Sequence, residues 1–469
     1  MTAAWAGGRP LAARGWGPRL ALMTALALGV SGGTGTSAQE EPAASEGTTG
    51  ATGDTMVLLR AAGDDITAVS LFPAIAAAFL DDRGATGIRA RPAQPPWTIE
   101  ISGNLLSGRR IAVLVRGSSS RDAIRELGRG EVDIALAARE MTADERRLLA
   151  PLGDMTEPAV TVPLARAAVV IAVHRDNPVT SISFDQLRDI YIGRLTDWAA
   201  LGGTPGPIHA FGRAVGAAAR ESIEREVMGD APFGPQVRDV RSFSALHDLV
   251  AANTGAIGYL PVGLLDGLKP LRIAVAGYHA RPDDYGVASG DYPLNLTMRL
   301  YRSPARTAIT DKVFREATST ATEVAVLFAG FSRIKPQLLV PSWPDSIPAD
   351  YREAVHNGLR VSVTIHFPPD TTEIDAAGSR QLDALAYYLR LLKVSAEKLR
   401  HIGFSENTGD PRENARISQQ LAAIVAGELR RRKVYAGEVL AFGATLPLSS
   451  DAIPDGRRRN RRVETWILP

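Results

Sequence analysis

No cysteine occurs in the chain, which excludes disulfides, cysteine-based zinc sites, thiol catalysis and a lipidated N-terminal cysteine. Histidine is scarce as well. Seven are spread along 469 residues with no pair at helical ligand spacing, so a histidine-built metal site is not expected. An excess of one charge is also missing: the formal net charge is +2, and residues 1–38 hold Arg9, Arg14 and Arg19 but no acid, so without them it becomes +2 − 3 = −1. Neither value supplies the basic field that nucleic acid requires, and nucleic acid is not expected as a partner. Catalytic groupings are lacking too. No Ser, His and Asp fall in triad order, no Gly-x-Ser-x-Gly elbow occurs, and the acidic pairs Asp64 with Asp65 and Asp81 with Asp82 read as loop and helix-end charges. An enzyme is therefore only the third reading, and no cofactor is implied.

What is present begins with a targeting pattern. Three arginines precede the apolar run "LALMTALALGV", and small residues follow at Thr36 and Ala38. That order is a secretory signal peptide over residues 1–38, because its apolar part is roughly half of the ~20 residues a spanning helix needs. The small, polar stretch 39–55, "QEEPAASEGTTGATGDT", reads as a flexible linker.

From residue 56 to about 340, short apolar strands alternate with amphipathic helices, the pattern of an α/β domain with a largely parallel sheet. "AAVVIAV" (167–173) is a continuous apolar run, as expected of a strand covered on both faces. In "SFDQLRDIYIG", Ser183 with Gln186 forms a capping box and Gly193 a stop; "SSSRDAIRELG" opens on serines and is expected to stop at Gly128. "FPAIAAAF" places Phe72, Ile75 and Phe79 on one helix face.

A proline-marked break, "KPQLLVPSWPDSIPADY", separates a second unit at about 345–469. In "VSVTIHF" the alternation puts Val361, Val363, Ile365 and Phe367 on the buried face of a half-buried strand, and a helix with Leu382, Leu385, Leu389 and Leu392 in a stripe follows. The order continues through a strand, a long helix and two strands, βαβαββ, which makes a compact α+β sandwich.

The segment "SFDQLRDIYIGRLTDWAALGGTPGPIHAFGR" (183–213), with "RGSSSRDAIRELGRGEVDIALAARE" and "TGAIGYLP" in the same order, resembles the PstS-like phosphate-binding proteins over roughly residues 56–335. The resemblance implies the two-lobe periplasmic-binding-protein (type 2) α/β fold, with one lobe at about 56–162 and 296–340, the other at about 163–295, and crossings near 161–163 and 292–296. It implies a small anion such as phosphate held between the lobes at the carboxyl ends of strands, and an ABC transporter or other envelope protein as partner. The positions it marks are Thr67, Ser118, Ser119 and Arg139 on one lobe and Arg213, Ala217, Ala218 and Ala219 on the other. Trp198, Ile257 and Tyr259 are expected to pack in the core.

The loop "GRAVGAAAR" departs from the family pattern. Arg213 matches the anion-gripping arginine, but Ala217, Ala218 and Ala219 replace Ser-Gly-Thr, Val215 stands where an acid often orients the arginine, and the acid that reads the proton on phosphate falls at Ala138. Losing two hydroxyls that bond a charged group weakens binding by ~3–6 kcal/mol, about two to four powers of ten. Backbone N–H groups and the arginine charge remain. A methyl-lined wall suits an anion that carries carbon better than a bare oxyanion.

The second unit, through "GFSENTGDPRENARIS" with Asn414 and the terminal "RRRNRRVE", resembles the OmpA-like domain that grips peptidoglycan. In that resemblance Glu406 stands at the aspartate position, one methylene longer, and Leu421 stands at the arginine position, where it continues the apolar stripe of its helix. Without the guanidinium a bidentate carboxylate contact is gone. Asn414 and the N–H groups near Thr408 and Gly409 remain as partners, and peptidoglycan binding is expected to be weak. The arginine run 457–462 reads alternatively as a solvated basic turn.

Two readings stay open. One is a secreted solute-binding protein for phosphate or another small anion, tethered near the cell wall or outer membrane in the periplasm. The other is an envelope scaffold with degenerate anion and peptidoglycan sites.

Overall fold

A run of seven consecutive apolar residues has no polar face to offer water, so it belongs between layers. In the computed structural model, which describes residues 55–469 apart from 96, 276–277, 343–346, 436 and 453, this run lies in the long strand Thr161–His174, with 167–173 fully buried. The expected signal peptide and all but the last residue of the linker lie outside the described residues.

Thr161–His174 is the strand that joins the two halves of the domain. Its first part pairs antiparallel with Asn295–Arg302, from Tyr301 opposite Thr161 to Asn295 opposite Ala168; its second part pairs with Ala256–Pro261, beginning with Pro261 opposite Val169. The change of partner at Ala168 and Val169 falls further along than the expected 161–163. On one side the sheet continues through Ile134–Ala137, Met56–Gly63 and Arg110–Gly117 to the antiparallel pair Thr98–Asn104 and Thr86–Ala93; on the other it continues through His209–Arg213 to Arg238–Val240. The sheet is mixed rather than largely parallel, because both crossing strands run against their neighbours.

Local signals place the helices. Ser183 caps Phe184–Ile192 in a capping box with Gln186, and Gly193 ends it at φ 88°. The helix capped by Ser119 runs over Ser120–Arg129, past Gly128, because the left-handed terminal residue is Gly130 at φ 70°.

In the second unit, Leu359–His366, Arg462–Ile467, Leu399–Phe404 and Glu438–Ala441 form one sheet in that spatial order, with Leu338–Leu339 added at the outer edge. Helices Ala376–Leu392 and Pro411–Arg431 bury Leu382, Leu385, Leu389, Leu421 and Val425 against it. Leu392 is 39% exposed, as the helix is ending there. The fit is close at Gly403: an added Cβ would stand 2.0 Å from the Ser418 carbonyl oxygen, so only glycine lets the long helix lie on this strand.

Leu359–His366 is buried on both faces rather than one. Its second face, with Arg360, Ser362 and Thr364, docks on the first domain. The Arg360 guanidinium forms a bidentate pair with Asp291 and donates to the Tyr285 hydroxyl at 3.1 Å, while Arg166 donates to the Ser362 carbonyl at 3.1 Å. Around this pair Tyr285 packs with Tyr351, Phe404 and Trp466. A cavity of about 20 Å³ at the junction, lined by Tyr278, Asp291, Arg462 and Glu464 among others, has room for a single water.

Candidate functional site

The strand His209–Arg213 ends at the seam between the halves, and the loop after it leads into the helix Ala218–Ile223. Arg213 is only 5% exposed. Its backbone N–H donates to the Tyr259 hydroxyl at 2.8 Å, Nη1 donates to the Val240 carbonyl at 2.8 Å, and the guanidinium stacks on the Phe243 ring at 4.2 Å. These contacts hold the backbone and the guanidinium so that Nη2 points across the seam, while the buried Nε has no protein partner. Tyr259 is buried as expected, and its hydroxyl also positions this loop.

Nη2 meets a carboxylate at 2.5 Å, and that carboxylate is Asp65, from the loop after the strand Met56–Gly63 on the opposite half. The second Asp65 oxygen accepts from the Ala218 backbone N–H at 3.1 Å. The position where the resemblance implies an anion therefore holds one of the chain's own side chains. Asp65 is no ordinary loop charge, and the acid facing Arg213 comes from it rather than from position 215, where Val215 is exposed. Sequence reading misses Asp65 because its partner is 148 residues away.

The other expected positions gather at the same seam with most of their polar atoms in use, the buried Thr67 hydroxyl being without a hydrogen-bond partner. Ser118 donates through its hydroxyl to the Ser119 carbonyl at 3.2 Å; Ser119 caps its helix, accepting from the Asp122 N–H and donating to the Asp122 carboxylate. Gly216, at φ 87°, presses on Ser119, so close that an added Cβ would be 3.1 Å away. Thr67 is fully buried and donates its N–H to Asp64 at 2.8 Å. Ala217 caps the helix, and Ala218 and Ala219 are buried in the hydrophobic core.

Arg139 bridges the halves a second time, bonding Glu145 through two nitrogens at 2.7 and 2.8 Å and reaching Glu221 at 3.4 Å. Burial disfavours the Arg139 charge, yet the bond and charge of Glu145, with Glu221, outweigh it and raise its pKa. Burial raises the Glu221 pKa despite the longer contact to Arg139. Asp64, fully buried, is pushed up to about 7, first by burial and then by the neighbouring Asp65 and Glu221 charges.

At the positions the resemblance marks for peptidoglycan, Leu421 is 0% exposed in the core. The buried Glu406 is occupied, since both its oxygens accept from Arg461 Nη1 at 2.7 Å, and Arg461 Nη2 donates to the Thr371 carbonyl. Asn414 accepts from the Thr408 N–H and hydroxyl, and Gly409 N–H donates to Asn407, so the N–H groups expected to be open are taken. The arginine run is not a solvated turn either. Arg458 pairs with Asp375, Arg459 donates to the carbonyls of Tyr292 and Pro293 in the first domain, and Arg462 pairs with the buried Glu464. Among the described residues no group of three or more His, Asp or Glu is placed to hold a metal ion, and no helix is long and apolar enough to cross a membrane.

Residues 108–320 match the PBP superfamily domain and residues 366–461 match the OmpA family. The chain is 25% identical over 182 residues to the phosphate-binding protein PstS of Bacillus subtilis, a match covering 39% of this chain and 57% of that protein. It is 45% identical over 68 residues to the peptidoglycan-binding protein ArfA of Mycobacterium tuberculosis, covering 14% of this chain and 21% of the relative. The chain thus spans little more than half of PstS and about a fifth of ArfA. An ABC-type phosphate transport receptor from Vibrio cholerae superposes with a TM-score of 0.46 at 23% identity, covering 58% of this chain and 99% of the receptor.

Proposed function

We propose, for a chain that joins a PBP superfamily domain at 108–320 to an OmpA family domain at 366–461, an exported envelope protein that acts as a scaffold near the cell wall. One observation carries this reading: the Arg213 guanidinium, the charge that would grip a free anion, already holds Asp65 across the seam. The wall-binding positions point the same way, with Glu406 bonded to Arg461 and Leu421 in the core. Homology to PstS and to ArfA supports an envelope setting, and the arginine, apolar, small-residue order of residues 1–38 supports export.

A second reading, capture of free phosphate or another small anion for an ABC transporter, is favoured by the burial and aim of Arg213. Isothermal calorimetry of the full chain with inorganic phosphate separates the two. The scaffold reading expects no saturable heat at micromolar to millimolar phosphate; stoichiometric micromolar binding would restore the solute-binding reading. For export, the protein recovered from a periplasmic extract is expected to have the mass of a chain lacking residues 1–38, and a mass that still includes Met1 refutes it.

A further inference from the structure

We infer that the seat between the lobes is a carboxylate seat, that Asp65 is its resident ligand, and that withdrawing Asp65 leaves a site for a small free carboxylate rather than for phosphate. This rests on the scaffold reading and names the chemistry of the seat on which that reading turns.

The donors match two oxygens. Arg213 Nη2 takes one at 2.5 Å and the Ala218 N–H takes the other at 3.1 Å, while Nη1 is committed to Val240. The rest of the guanidinium is fixed by the Phe243 ring, and buried Nε has no protein partner. Of the hydroxyls at the marked positions, that of Thr67 is buried without a hydrogen-bond partner. Ala217, Ala218 and Ala219 present methyl groups, and the Ser118 and Ser119 hydroxyls are bonded within their own turn. A tetrahedral phosphate carries two more oxygens than the carboxylate these donors hold, and each one left buried without a donor costs binding energy. Asp65 is itself a carboxylate on a short tether, so its effective concentration at the seat exceeds that of any free anion, and the wild-type seat is closed.

The test uses the full chain as wild type, Asp65→Ala, and Asp65→Ala combined with Arg213→Ala. Each is titrated with sodium formate, acetate and phosphate at constant ionic strength, with chloride as control, and followed by thermal unfolding and calorimetry. Wild type is expected to show no anion response beyond chloride. Asp65→Ala is expected to melt lower, because it leaves a buried guanidinium unpaired, and to regain Tm saturably with formate or acetate, with apparent affinity for formate at least about tenfold above that for phosphate. The double variant is expected to lose the response. An Asp65→Ala protein that ignores all three anions, or prefers phosphate, overturns the inference while leaving the scaffold reading in place; wild-type phosphate binding overturns the scaffold reading. Should Asp65→Ala not fold, Asp65→Asn takes its place. It keeps an acceptor for the Ala218 N–H, so it is expected to melt lower than wild type without an anion response, and a melting temperature equal to wild type refutes the resident-ligand role.

Discussion

At the scale of single residues, Asp64 and Asp65 show how far position outweighs identity. They are adjacent and chemically the same, yet Asp65 reaches a guanidinium and Asp64 is sealed in the seam with a pKa near 7. An acid whose folded pKa lies above its unfolded value binds more protons in the native state, so its stabilising effect is complete below about pH 4 and is lost as pH rises towards 7. Asp64→Asn is therefore expected to flatten the pH dependence of stability between pH 4 and 7 relative to wild type. Above pH 7 it should stabilise the chain by up to about 4 kcal/mol, from about three pKa units. Parallel urea titrations at pH 5 and pH 8 check this, and an unchanged difference between the two pH values in the variant contradicts it. The buried His366 and His401, pushed down by burial to about 3 and about 4, act in the opposite sense and favour the native state at higher pH. The comparison must therefore be variant against wild type.

At the scale of elements, the long helix Pro411–Arg431 shows what a motif position can and cannot do. Leu421 stands where the resemblance has an arginine, but the helix lies so close to Leu399–Phe404 that its inward face is sealed. Leu421→Arg is expected to bury an unpaired charge and destabilise the chain by roughly 3 kcal/mol or more, so it should not restore a peptidoglycan contact. Gly403→Ala tests the same packing from the strand side. With Ser418 oxygen 2.0 Å from the new Cβ, helix and strand must separate, and a loss of at least about 2 kcal/mol is expected. Thermal melts of both variants measure this; a Gly403→Ala protein as stable as wild type would show that the helix can shift at little cost.

At the scale of the whole molecule, the second domain is docked rather than strung on a linker. Arg360 with Asp291, Arg166 with the Ser362 carbonyl, and Arg459 with the carbonyls of Tyr292 and Pro293 all fall where the chain crosses between the two halves of the first domain. With Asp65 bonded to Arg213 and Arg139 bonded to Glu221, contacts fix the seam and the crossings at once. Asp291→Ala leaves the buried Arg360 guanidinium with Glu464 at 3.6 Å as its nearest carboxylate and only neutral hydroxyls closer, so a loss of about 3–5 kcal/mol is expected. Scanning calorimetry should then resolve two transitions where wild type shows one. A single transition at the wild-type temperature contradicts the coupling. Replacing both partners with apolar residues, Asp291→Leu with Arg360→Met, should recover most of the loss.

The amino-acid sequence by itself determined the features that depend on neighbours in the chain. Period and capping placed the helix Phe184–Ile192 and its stop at Gly193, continuous apolarity placed the crossing strand, and the βαβαββ order announced the second domain. Arg213 and the alanine wall were legible through the resemblance of residues 183–213 to the PstS-like pattern. What only the tertiary structure decided is who satisfies the exposed valences. Asp65 comes to Arg213 from 148 residues away and Glu406 to Arg461 from 55, while Arg360 finds Asp291 across a domain boundary. The physical reason is that a buried charge must be paired, but Coulombic pairing has no sequence period. Local pattern could therefore mark the arginines of "GRAVGAAAR" and "RRRNRRVE" as a cluster of charge, and only the packing of distant elements could bury them and assign their partners.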